Sequence, residues 1–218
     1  MESLIQTIAV YALPVLFGIT LHEAAHGYVA RMFGDPTAWQ AGRISLNPLR
    51  HVDPMGTIVV PVVLLFASKL MGGGGLLFGW AKPVPVDWGR LRHPKRDMLW
   101  VALAGPASNL VMAILWAISL RLLAETGMVA GQGDFWVRMA IAGVQVNLIL
   151  MALNLVPLPP LDGGRIVFSL LPPRLAWQYS RIEPYGLLIL VVLMFTGALW
   201  VILRPLLAFG QLIVNAFL

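Results

Sequence analysis

The chain has 218 residues, of which 59% are hydrophobic and 11% charged, with a mean hydropathy of +0.81; a soluble domain carries roughly a quarter charged residues. Much of its surface must therefore face lipid, which excludes an ordinary water-soluble globule. The net charge of +5 does not point to nucleic acid, because the basic residues sit at the ends of apolar runs without the aromatic interleaving of a single-strand binder. The absence of cysteine excludes disulfides and thiolate ligands, so a metal here must sit on His, Asp or Glu.

Four stretches approach the ~20 apolar residues that a membrane span needs: 3–31, 98–124, 136–157 and 185–203, followed by an apolar but short tail, 205–218. No polar segment between them is long enough for a separate soluble module, so one membrane domain over 1–218 is expected. The first run has an acid at position 2, no basic flank and no small-residue cleavage site, and is expected to stay in the mature chain. Between the first two spans, Pro61 and the run Gly72 to Gly75 break an apolar segment. This favours a re-entrant hairpin over 58–78, since irregular backbone is tolerated at membrane depth when buried in protein. Turn-rich pieces at 41–46 (AGRISL) and 82–88 (KPVPVDW) read as short strands or extended edges, because Pro83 and Pro85 would interrupt a helix. The expected fold is an all-α polytopic membrane protein, a bundle of four to six transmembrane helices with a re-entrant hairpin and short β-strands near the active site.

Lys and Arg collect in cytoplasmic loops. Arg31, Arg43 and Arg50 precede the hairpin and Lys82, Arg90, Arg92, Lys95 and Arg96 follow it, so a hairpin that returns puts both clusters on one side. Loop 125–134, with Glu125 and Asp134, then lies opposite, and Arg165, Arg174 and Arg181 fall back on the basic side. Positions 32–96 and 162–183 are accordingly expected in the cytoplasm. The eight Trp and four Tyr mostly flank apolar runs and read as interface anchors.

The chemistry begins at LHEAAHGYVA, where His22 and His26 stand four residues apart on a helix. That spacing puts both imidazoles on one face, one turn apart, within reach of a single tetrahedral zinc. Glu23 is placed to act as general base for the water that the metal activates. H-E-x-x-H can arise by chance, but three such side chains in a lipid-embedded helix are costly there and point to function. A hydrolytic zinc keeps three protein ligands, and His51, His93 and the intramembrane carboxylates are the candidates for the third. Asp162 differs from the other acids. It lies in NLVPLPPLDGGR, where Pro157, Pro159 and Pro160 break the third span and Gly163 and Gly164 permit close backbone approach. It can equally be the N-cap of a helix over 163–171. Asn154 can donate to a developing oxyanion or satisfy carbonyls freed by Pro157 and Pro159. Asn109 suits an interhelical hydrogen bond beside Gly105, Ala107 and Ser108, and His51 and His93 read as solvated or interfacial.

HEAAH on the first span, GPASN at 105–109 and NLVPLPPLDGG at 154–164 resemble, in order, the three signatures of the site-2 protease family of intramembrane metalloproteases. The resemblance covers most of the chain. It implies one Zn2+ per chain, held by His22, His26 and Asp162, with Glu23 catalytic and Asn154 assisting the oxyanion or the substrate backbone. It implies an intramembrane zinc metalloendopeptidase acting on peptide bonds in or near transmembrane segments, a multi-pass protein of the cell membrane, the inner membrane of a bacterium. Its partners would be a transmembrane protein or peptide substrate and the lipid bilayer. A shielded helical substrate must unwind, and its extended form can add to the edge of 41–46 or 82–88. The competing readings are a membrane metal-binding or transport protein using the same ligands, and an inactive homologue serving as scaffold.

Overall fold

The computed structural model describes residues 4–51, 53–59, 63, 82–126 and 133–218. Its helices are α1 (Leu4–Met32), α2 (Thr37–Gln40), α3 (Pro94–Glu125), α4 (Gly133–Asn154), α5 (Asp162–Leu170), α6 (Pro173–Ser180), α7 (Gly186–Phe195) and α8 (Ala198–Asn215), with short 3-10 turns between several of them. Among the described residues four helices are long and apolar enough to cross a membrane: Ile5–Met32, Pro94–Glu125, Asp134–Asn154 and Ala198–Asn215. Leu13, Phe17, Val111, Leu115, Ile141 and Ile149 stay exposed on their outer faces, as a lipid-facing surface requires. The protein is an all-α, multi-pass membrane protein.

The centre of the bundle is α3, which packs on α1, α4 and α5, while α1 also packs on α4. Close packing there rests on small residues: Ala102, Gly105, Ala113 and Ala117 of α3 are all buried. In lipid, where no hydrophobic force drives helices together, such residues let backbones approach and gain dispersion contacts. Ala113 and Ala117 meet Val144, Leu148 and Met151 of α4 and Val214 of α8 in one apolar cluster.

The expected fourth span, 185–203, is corrected. The chain breaks at Gly197, whose φ of +75° lies in the left-handed region that favours glycine. Helix α7 therefore ends after ten residues, and the crossing helix α8 takes in the tail that was judged too short. Hydropathy runs unbroken across this reversal, so no window average detects it. Leu190 of α7 and Leu199 and Leu203 of α8 share a buried cluster.

Neither expected strand forms among the described residues: 41–46 is turn and irregular chain, and 82–87 is irregular chain without a ladder. Three of the backbone donors of 82–87 go elsewhere. Lys82 N–H donates to His51 O at 2.9 Å, Val84 N–H to Glu23 Oε2 at 2.7 Å and Asp87 N–H to Asp35 Oδ2 at 2.8 Å, while Pro83 and Pro85 have none to give. Arg43 Nη2 donates to Lys82 O at 2.9 Å. The heart of the expected hairpin, 64–81, lies outside the described residues, but its flanks at 43–51 and 82–83 touch.

Candidate metal centre

On α1, His22 and His26 project from consecutive turns with ring centroids 4.7 Å apart. The proline-rich segment after α4 turns the chain so that α5 begins at Asp162. Gly163 and Gly164 let that first turn lie against the backbone: a Cβ at 163 would stand 2.3 Å from Val156 O, and one at 164 would stand 2.4 Å from Pro159 N. The N-cap position belongs to Leu161, without a side-chain cap bond. The Asp162 carboxylate is turned instead to the histidines, so its alternative reading as a cap does not hold.

His22 Nε2, His26 Nε2 and Asp162 Oδ2 form a triangle with edges of 3.1, 3.1 and 3.3 Å. A tetrahedral zinc with arms of about 2.0–2.1 Å has ligand-to-ligand edges of about 3.3–3.4 Å, so the triangle is one face of such a site. The side chains are 9%, 12% and 17% exposed. The protons on the rings can be assigned from their outer partners. His26 Nδ1 lies 2.7 Å from Val101 O, which can only accept, so Nδ1 carries the hydrogen. His22 Nδ1 lies 2.7 Å from Asn109 Oδ1, again as donor. Two imidazole lone pairs and a buried carboxylate oxygen that receives no hydrogen bond therefore face one another. Three acceptors in contact repel unless a cation lies between them, and this donor set, with each His oriented through its other nitrogen, fits zinc.

Gly105 of α3 closes the back of the triangle. A Cβ there would stand 2.4 Å from His26 Nε2 and 2.6 Å from His22 Nε2. By helix rise of about 1.5 Å per residue, His26 sits about 9 Å inside the end of α1 and Gly105 about 16 Å inside the start of α3. The centre thus lies within the length of two helices that are long and apolar enough to cross a membrane.

Glu23 is on the same turn as His22, outside the triangle, with Oε2 held by Val84 N–H. Asn154 is on the last turn of α4, its Nδ2 donating to Leu150 O at 3.0 Å; no described hydrogen bond joins it to the triangle. His93 is exposed. His51, read as solvated or interfacial, is 3% exposed, with its Nε2 2.9 Å from Ser45 O. Sequence reasoning missed Val84 and Asn147. Val84 acts through its main chain and carries no residue-type signal. Asn147, an amide inside an apolar span, was a visible anomaly.

The model of peptidase family M50 matches residues 122–197. "Putative zinc metalloprotease YwhC" of Bacillus subtilis is 38% identical over 199 residues, 90% of this chain and 85% of that protein. "Putative zinc metalloprotease Rip2" of Mycolicibacterium smegmatis is 32% identical over 84% of this chain and 66% of its own length. Its Mycobacterium tuberculosis counterpart is 29% identical over 82% and 63%. No solved structure matches the chain.

Proposed function

Because the chain belongs to peptidase family M50, the site-2 protease family of zinc metalloproteases, we propose that it hydrolyses peptide bonds in or near transmembrane segments of membrane proteins, with zinc on His22, His26 and Asp162. The observation that carries this is the triangle of three largely buried acceptors inside a bundle of apolar helices. Zinc, when bound, acidifies water and polarises a peptide carbonyl. Glu23 takes the water's proton and passes it to the leaving amine. The Val84 N–H holds one Glu23 oxygen, which leaves the other for the proton. Asn154 steadies the substrate backbone or the developing oxyanion.

The substrate unwinds and lies extended beside 82–87, on the side where the basic residues gather. The contact of 43–51 with 82–83 brings the basic residues on either side of the expected hairpin together, which supports a cytoplasmic placement of 32–96 and 162–183 in the cell membrane. Proline placed in the substrate segment that pairs with this stretch should suppress cleavage; unchanged cutting would remove the pairing.

The test of the whole reading is metal content and cleavage of a transmembrane substrate by the purified protein and Asp162→Ala. The wild type should carry one zinc and cut, and the variant should do neither. A variant that keeps its zinc would remove Asp162 from the ligand set. Asn154→Ala should keep zinc and lose about 10²–10³-fold in kcat, the size of one oxyanion donor, and a loss below about tenfold would leave Asn154 with only its bond to Leu150 O.

A further inference from the structure

Asn109 and Asn147 are both fully buried between α1, α3 and α4, in apolar surroundings where an amide is costly unless every group is bonded. Their bonds run in one direction. Asn147 Nδ2 donates to Gly143 O at 2.9 Å, which leaves its Oδ1 as acceptor toward Asn109 Nδ2 at 3.1 Å. The second Asn109 N–H donates to Gly18 O at 3.0 Å. The Asn109 oxygen is therefore the only atom left to face His22 Nδ1, at 2.7 Å.

We propose that Asn147 is a positioning residue for the metal centre, acting through Asn109 to hold His22 in the tautomer whose Nε2 is free to bind zinc. This rests on the metal-centre reading above. An amide can flip its oxygen and nitrogen at little cost when its surroundings are indifferent. A flipped Asn109 would point its NH2 at His22 Nδ1 and its oxygen at both Gly18 O and Asn147 Oδ1. The ring would then move its hydrogen to Nε2, where it blocks ligation. Asn147 Oδ1 and Gly18 O both oppose that flip, because after it oxygen would meet oxygen at each; Asn147 supplies the side-chain half of the restraint. The Asn147 amide is itself fixed by Gly143 O within its own helix, one turn back. The described hydrogen bonds of Asn147 go to Asn109 and Gly143 and not to the three ligands, so it sets the ligand through one intermediate.

The test is a double-mutant cycle on the purified full chain in lipid nanodiscs, with the Zn2+ dissociation constant read by chelator competition. Asn147→Leu should weaken zinc about tenfold, the low end of what losing the direct outer partner of a ligating histidine costs. In an Asn109→Asp background the same leucine should change zinc affinity by no more than about twofold, the scatter of uncoupled sites. A carboxylate presents oxygen to His22 whichever way it turns. An equal loss in both backgrounds, or unchanged affinity with a lowered Tm, would reduce Asn147 to a packing role and overturn the proposal. Should Asn147→Leu not fold, Asn147→Asp decides: it keeps the oxygen toward Asn109, so zinc affinity within about twofold of wild type is expected and a tenfold loss overturns. Failure of the underlying reading looks different. Wild type without zinc, or His22→Ala binding zinc as tightly as wild type, removes the metal centre itself, and the relay with it.

Discussion

Gly105→Ala is expected to abolish zinc binding in an otherwise folded protein. The new Cβ would stand 2.4 Å from His26 Nε2 and 2.6 Å from His22 Nε2, about 1 Å inside ordinary contact. Relief has two routes. If the rings move, the triangle opens by far more than the ~0.2 Å that ligand distances tolerate. If α3 moves, it carries away Val101 O and Asn109 Oδ1, the partners that orient both rings. Overpacking of this kind costs about 1–3 kcal/mol in stability, which a bundle of this size can survive. Metal analysis of the purified variant should therefore find less than one zinc per chain, with an affinity loss beyond the 10–100-fold of an outer partner. Full zinc content with only a lowered Tm would show that α3 gives way without its hydrogen bonds, and that the triangle is less tightly determined than its contacts indicate.

Glu23→Gln is expected to have the opposite profile, with zinc retained and cleavage lost. The amide matches the carboxylate in shape, and its oxygen can still accept the Val84 N–H now held at 2.7 Å by Glu23 Oε2. The local geometry survives. What disappears is a base able to take a proton, worth about 10²–10⁴-fold in rate. Single-turnover cleavage of a transmembrane substrate, measured beside metal content, checks both halves. A variant that cuts as well as wild type would move the proton transfer elsewhere. A wild type that holds zinc and cuts none of several transmembrane substrates would favour the metal-transport alternative, in which Glu23 has no part.

The two experiments separate the parts of the centre that were open to sequence reading from those that were not. His22 and His26 are legible because helix periodicity alone brings i and i+4 to one face, and Glu23 because it stands next to the first of them in H-E-x-x-H. Asp162 was one candidate among several until the order of three motifs singled it out, and the structure supplies the reason it reaches the histidines, an α5 that starts against backbone with no side chain at 163 or 164 in the way. Three of the four crossing segments followed from hydropathy, since lipid demands an apolar surface over a set length. The fourth was misplaced because composition is blind to a single left-handed residue at Gly197 inside a continuous apolar run.

By itself the amino-acid sequence determined the solvent, the secondary-structure class and the identity of the groups that could bind metal, because each depends on local pattern or bulk composition. Only the tertiary structure decided how those groups are held. Val84 reaches Glu23 across 61 positions of chain and Asn109 reaches His22 across 87. Contacts of that kind leave no periodicity behind, and a main-chain N–H leaves no residue type either. The piece at 82–87 fails to become a strand for the same reason: its N–H groups at Lys82, Val84 and Asp87 are taken by a carbonyl and two carboxylates from elsewhere in the fold, a competition that exists only once the helices have packed.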